Sequence, residues 1–130
     1  MGQFDKNNEL MDHFLHPRNV GKIVDPDGTG KVGNVVCGDI MEIYLKVEDN
    51  IIKDVKFQTF GCAAAIASTS VLTELVKGKT IEQALEISNK KIREILGEVP
   101  QHKYHCTVLA EQALKEAIED YQKKSDKKEK

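Results

Sequence analysis

Strict alternation of apolar and polar side chains over residues 40–48 is the feature that most restricts how this chain can fold. In an extended strand, alternate side chains point to opposite faces, so one face collects Met41, Ile43, Leu45 and Val47. Asp49-Asn50 follows, and both residue types tolerate the unusual backbone angles of a tight turn. A second alternating stretch places Val55 and Phe57 inward. The sequence therefore predicts an antiparallel hairpin with one buried face.

The segments before the hairpin predict a short helix and a loop. Residues 6–16 carry apolar side chains on one helical face, and Pro17 ends this helix because it cannot donate the next backbone hydrogen bond. Residues 18–34 contain four glycines, a proline and several Asp or Asn residues, a composition typical of loops. Val35-Val36 is a candidate for a third strand.

Helical patterns follow the hairpin. Residues 63–76 predict a helix of small residues, and Thr80 begins a capped segment that predicts one or two short helices over 81–97. The last helix has one apolar face, formed by Ala110, Leu114, Ala117, Ile118 and Tyr121. Residues 123–130 are charged and predict a disordered tail. The pattern predicts an α+β fold in one domain at 1–122, with helices on one face of a small antiparallel three-stranded sheet.

Composition narrows the class of protein. The net charge of −2 gives no general reason to expect binding to nucleic acid or to an acidic membrane surface. No apolar run approaches the roughly 20 residues of a membrane span. The first ten residues lack the basic and apolar regions of a signal peptide, which predicts a cytoplasmic protein. The histidines outside the cysteine motifs are predicted to be surface residues: His13, His16 and His102.

Three cysteines occur without a CxxC pair, so any joint site must be assembled by the fold. Cys37 and Asp39 are two residues apart, so in an extended segment their side chains point to the same side. Gly38 between them would let a bulky ligand approach the backbone. The same segment also fits a turn in which the cysteine packs as a small apolar residue.

The other two cysteines each stand at the start of a predicted helix. The unpaired amides there favour a thiolate at Cys62, which follows the second strand. Cys106 begins the last helix, and the upstream Lys103 and His105 are expected to lower its pKa further. His105 is also a candidate metal ligand, although a lone histidine is more often an ordinary loop residue.

Together these residues supply a four-ligand set. It consists of Cys37, Cys62 and Cys106 with either Asp39 or His105. Four ligands satisfy a tetrahedral zinc ion or a [2Fe–2S] cluster. A set with three thiolates and one oxygen or nitrogen should hold a cluster less firmly than four cysteines would, which suits assembly and handover.

Four stretches carry a family resemblance: DHFLHPRNVG, VCGDIMEIYLKV, FQTFGCAAAIASTSVLTELVKGK and KYHCTVLAEQALKEAI. Over about Asp12 to Ala117 the chain resembles the iron–sulfur cluster assembly scaffolds of the IscU type, which are similar to the N-terminal domain of NifU. The order of the CGD, FGC and HC motifs is highly specific to this family. The resemblance implies the α+β fold shared by IscU-like and SufE-like proteins, and a scaffold without turnover chemistry of its own.

The resemblance also implies partners and cargo. A pyridoxal-phosphate cysteine desulfurase supplies sulfur, iron is added, and the resulting [2Fe–2S] cluster passes to apo-proteins. Zinc can occupy the site in the absence of a cluster, and a homodimer around a cluster is one arrangement. By motif match, the cluster cysteines are Cys37, Cys62 and Cys106. Asp39 matches the family's aspartate, which is associated with cluster lability and can serve as a ligand. His105 and Lys103 match family positions beside the last cysteine. Cys106 is the best candidate for first acceptance of sulfur.

Two other functions compete with the scaffold. A related zinc-bound sulfur acceptor activates a cysteine desulfurase, but that subtype typically has an insertion between the second and third cysteine motifs and lacks the histidine. This chain has no evident insertion and retains His105. A cysteine enzyme would use Cys106 or Cys62 as the nucleophile with His105 and Asp39.

One segment departs from the family pattern. Many bacterial members carry Leu-Pro-Pro-Val-Lys, which a dedicated Hsp70-type chaperone recognises. Residues 99–103 read VPQHK and share only Pro100 and Lys103 with it. This departure argues against such a chaperone as a partner.

Overall fold

The computed structural model describes residues 11–34, 38–97 and 104–129. Its sheet has three antiparallel strands in the order β1 (Gly28–Asn34), β2 (Asp39–Glu48) and β3 (Ile51–Phe60). The helices are α1 (described over 11–15), α2 (Ala63–Val76), α3 (Ile81–Leu85), α4 (Asn89–Leu96) and α5 (Tyr104–Glu129). The predicted α+β class and three-stranded antiparallel sheet are confirmed.

The central hairpin forms as the alternation predicts. Asp49 and Asn50 connect β2 to β3 with φ of 54° and 65°, the two positive values that a two-residue type I′ turn requires. Met41, Ile43 and Leu45 are fully buried on one face of β2. The turn and the buried face together set the register, since a slip of one residue would turn this apolar row to solvent.

The loop predicted at 18–34 is wrong over its second half, where the chain forms β1. This strand pairs with β2 from Gly28 opposite Leu45 to Asn34 opposite Asp39. Its glycines allow close packing of a helix: a Cβ on Gly30 would overlap the carbonyl oxygen of Ala113 in α5. The glycines that suggested a loop therefore mark a close approach of two backbones. The candidate strand at Val35-Val36 lies outside the described residues.

The core lies between the sheet and two helices. Helix α2 packs on β3, and α5 packs on β1 and β2. The buried polar side chains of α2 bond to their own helix: Ser68 donates to the carbonyl of Ala64 (2.6 Å), and Thr69 donates to that of Ala65 (2.8 Å). These bonds let polar residues sit in the core without leaving unpaired groups.

The short helices end and begin where the sequence predicts. Thr80 caps α3 in a capping box with Gln83, each side chain bonding to the other residue's backbone amide. Ser88 caps α4, which ends at Gly97 with φ of 87°. Among the residues that the structure describes, no helix combines the length and the apolar character needed to cross a membrane.

Helix α5 extends to Glu129, and within it Lys124 pairs with Asp120 one turn earlier (3.2 Å). One histidine differs from the sequence predictions. His13 is buried, not at the surface, because its Nδ1 lies 2.7 Å from the Ser70 hydroxyl and its Nε2 lies 3.4 Å from Glu74. His16 is exposed as expected, and His102 lies outside the described residues.

We expect Gly30→Ala to lower the free energy of unfolding by about 3 kcal/mol, because the added methyl group would be forced into the backbone of α5. Urea denaturation measures the change. Gly33→Ala on the same strand is the matched control, since its Cβ would meet its nearest atoms at 3.4 and 3.8 Å, which is ordinary contact. Equal denaturation midpoints for the two variants would contradict the close packing of β1 on α5.

Candidate metal-binding site

Three chain segments meet at one end of the sheet. Asp39 is the first residue of β2, and Ile40 pairs with Phe60, the last residue of β3. The chain turns there into α2, whose N-cap is Cys62. Cys106 lies in the first turn of α5, which packs beside α2. The antiparallel pairing and the helix packing thus bring together side chains that are far apart in sequence.

The ligand atoms of these residues are close together. The Sγ atoms of Cys62 and Cys106 are 3.6 Å apart, and Cys106 Sγ is 3.6 Å from Asp39 Oδ2. All three donor atoms lie within 4.8 Å of one another, and both cysteines are free thiols. Asp39 is 3% exposed and Cys106 is fully buried, whereas Cys62 is half-buried. Access to the cluster of donors is therefore greatest at Cys62.

His105 stands at the edge of this group. Its Nε2 lies 3.6 Å from Cys106 Sγ and 3.6 Å from Asp39 Oδ2. Its side chain is 31% exposed, so the ring forms part of the boundary between the buried donors and solvent. The structure therefore brings four of the five predicted ligands together: Asp39, Cys62, His105 and Cys106.

The remaining predicted site residues have different outcomes. Gly38 is exposed, has φ of +74°, and has open space where a Cβ would be, as close approach to its backbone requires. Cys37 and Lys103 lie outside the described residues, as does the whole VPQHK segment. Their roles stay predictions from the sequence.

The electrostatics of Cys106 correct one expectation. Burial, followed by the neighbouring Cys62 and then Asp39, raises the pKa of the Cys106 thiol. The sequence had predicted the opposite direction from a helix start and nearby basic residues. Local charge pattern fails here because it does not show that the thiol is removed from water beside a carboxylate.

Gly61 is the residue of this site that sequence reasoning missed. It connects β3 to the N-cap of α2, and a Cβ on it would overlap Oδ1 of Asp39. The only local signal is a glycine inside the FGC motif at a strand-to-helix junction. The local sequence does not predict that Gly61 lies next to Asp39 in the fold.

The donor set fits a thiophilic metal ion. Sulfur atoms bound tetrahedrally at about 2.3 Å lie about 3.8 Å apart, close to the 3.6 Å between Cys62 and Cys106. Two sulfurs with one carboxylate oxygen suit zinc or iron better than magnesium or calcium, which prefer oxygen ligands alone. The group leaves a fourth position to another ligand. Fold and site together define a small α+β protein with a candidate metal site formed by two cysteines and one aspartate.

Comparison with known proteins identifies the family. Residues 5–128 match the NifU-like N terminal domain. The iron-sulfur cluster assembly scaffold protein IscU 1 of Archaeoglobus fulgidus is 59% identical over 121 residues, which cover 93% of this chain and 79% of that protein. The scaffold protein IscU of Aquifex aeolicus is 51% identical over 120 residues, 91% of this chain and 76% of that protein.

A solved structure agrees on the fold. The N-terminal NifU-like protein from Brucella abortus has a TM-score of 0.77 at 20% identity, covering 92% of this chain and 97% of that one. The chain belongs to the family of NifU-like N-terminal domains, with IscU-type iron–sulfur cluster assembly scaffolds among its relatives. The family resemblance, and with it the prediction of an iron–sulfur cluster assembly scaffold, is confirmed.

We expect iodoacetamide to alkylate Cys62 about tenfold faster than Cys106 in the metal-free native protein at pH 8, because the thiolate is the reactive form and Cys106 is buried with a raised pKa. Peptide mapping by mass spectrometry measures the two rates. Denatured protein is the control, in which the rates should become equal. Faster labelling of Cys106 in the native protein would contradict the described burial.

Proposed function

We propose that this chain is the scaffold on which a [2Fe–2S] cluster is assembled and from which it passes to apo-proteins. The observation that carries the proposal is the convergence of Asp39, Cys62 and Cys106 within 4.8 Å at one end of the sheet. The relatives named as cluster assembly scaffolds support the same function. The cluster is cargo for such a protein, so a site that binds it and also releases it is needed.

The proposed ligands combine the described group with one further residue. A [2Fe–2S] cluster takes four protein ligands, and Asp39, Cys62 and Cys106 supply three. Cys37, separated from Asp39 by one residue in the sequence, is proposed as the third cysteine ligand. His105 is the alternative to Asp39 as the ligand that completes the three cysteines, since its Nε2 lies 3.6 Å from both Cys106 Sγ and Asp39 Oδ2.

A cysteine desulfurase is the proposed sulfur donor. In the transfer, the thiolate of Cys106 attacks the terminal sulfur of the desulfurase persulfide, a new S–S bond forms on Cys106, and the desulfurase thiolate leaves. Because Cys106 is fully buried and its pKa is raised, this step requires the first turn of α5 to become accessible when the desulfurase docks, so that the thiol can lose its proton. The half-buried Cys62 faces the same site and is the alternative acceptor.

Anaerobic reconstitution with ferrous iron, L-cysteine, a cysteine desulfurase and a thiol reductant, which helps to reduce persulfide sulfur to sulfide, tests the scaffold function. We expect the visible absorption of an iron–sulfur cluster, with iron and sulfide bound in equal amounts, and its loss in Cys37→Ala. Metal and sulfide analysis completes the measurement. Stoichiometric zinc with no bound iron or sulfide would instead favour a zinc-held sulfur acceptor that activates the desulfurase.

The fourth ligand can be assigned with matched histidine variants. If His105 binds iron, His105→Ala lowers cluster yield and alters the absorption spectrum, while the exposed His16→Ala does neither. If Asp39 fills that position, His105→Ala retains the native spectrum. Both variants are compared with the native chain in the same reconstitution.

We expect Asp39→Ala to slow the loss of an assembled cluster several-fold, because a carboxylate oxygen exchanges with water more readily than a thiolate. The decay of visible absorption under a chelator measures the rate. A variant cluster that decays as fast as the native one would rule out a role for this carboxylate in release.

A further inference from the structure

Gly61 has no side chain, and this leaves space for the carboxylate of Asp39. A Cβ placed on it would overlap Oδ1 of Asp39 and would lie 3.0 Å from the Cγ of that residue. On its other side the same Cβ would lie 3.1 Å from the Cβ of Ala65. One carboxylate oxygen of Asp39 therefore fills the space that any larger residue at position 61 would need.

The carboxylate, not the helix, would have to move if this space were filled. Ala65 is fully buried within α2 and packs in the core. Asp39 ends in a short side chain whose second oxygen faces Cys106 Sγ and His105 Nε2, each at 3.6 Å. Any shift away from Gly61 changes the distance from this oxygen to the sulfur atoms.

Backbone conformation does not require a glycine here. The described glycines with positive φ are Gly21, Gly38, Gly78 and Gly97, and Gly61 is not among them. An alanine could adopt the same backbone angles without the strain of the left-handed region. The requirement for glycine at this position therefore comes from the space taken by Asp39.

We propose that Gly61 is a positioning residue for the metal site: its missing side chain holds the Asp39 carboxylate within ligating range of Cys62 and Cys106. The inference rests on the proposed function, because it takes these three residues as metal ligands. It adds a residue that never touches the metal but decides where the oxygen ligand lies. Residues that orient metal ligands typically change affinity by about 10–100-fold when mutated.

Cobalt(II) titration of the chelator-treated protein tests this role, since bound Co²⁺ shows visible bands and sulfur-to-cobalt charge transfer that report its ligands. We expect Gly61→Ala to weaken Co²⁺ binding about tenfold and to change the visible bands. Gly33→Ala is the matched control: it adds the same methyl group near the backbone of Asp39, where contacts are ordinary at 3.4 Å. This control should bind Co²⁺ like the native chain.

A double-mutant cycle with Asp39→Ala separates positioning from a general loss of structure. Without the carboxylate the space beside residue 61 is open, so adding Gly61→Ala to Asp39→Ala should change Co²⁺ affinity by less than about twofold if the proposal holds. An equal loss in both backgrounds would overturn it. If Gly61→Ala alone unfolds, circular dichroism decides: a folded double variant supports the steric opposition, and an unfolded one overturns it.

The same titration distinguishes this inference from the proposed function. A native chain that shows no sulfur-to-cobalt charge transfer would refute the metal site itself. A native chain that binds Co²⁺, together with a Gly61→Ala variant of native affinity and spectrum, would refute only the positioning role of Gly61.

Discussion

The antiparallel pairing of β2 with β3 is the constraint on which the rest of the site depends. It places Ile40 opposite Phe60, so the residue that begins β2 and the residues that follow β3 share one end of the sheet. Asp39 and Gly61 are brought into contact in this way. The register at this end depends on the turn at Asp49-Asn50, on a register shift between Lys46 and Val47, and on the buried face of β2.

Helix α5 supplies the third side of the site, and β1 determines how closely it can lie. Gly28 and Gly30 leave room for the backbone of the helix at Ala113 and Ala117. Because Cys106 lies near the start of the same helix, this contact helps to set the position of its thiol over the end of the sheet. The close packing of strand glycines on helix alanines thus helps to fix the position of a cysteine about two to three turns away along α5.

The sequence predicts those parts of the fold that local patterns determine. Alternation and turn chemistry identify the hairpin, and small residues followed by a cap identify α2 and α3. Strand β1 escapes such reasoning because its glycines pack against residues far along the chain, and composition alone then favours a loop. His13 is missed for the same reason, since its partner Ser70 belongs to α2.

In the candidate site, too, some features follow from local sequence and others from tertiary contacts. Residue types and family motifs predict the ligands, because metal binding depends on the chemistry of Cys, Asp and His. The direction of the Cys106 pKa and the role of Gly61 depend on burial and on close contacts in space, which no local motif contains. The local sequence therefore predicts which residues are candidate ligands, whereas tertiary packing sets their pKa values and positions.

In the proposed site, burial of Cys106 would link metal uptake to proton release. Burial, then the neighbouring Cys62 and then Asp39, raise the pKa of Cys106 and so favour its neutral thiol in the metal-free protein. A metal ion binds the thiolate, so its uptake must displace the proton from Cys106. The reverse holds for release, because protonation of the thiol restores the state that the buried site prefers.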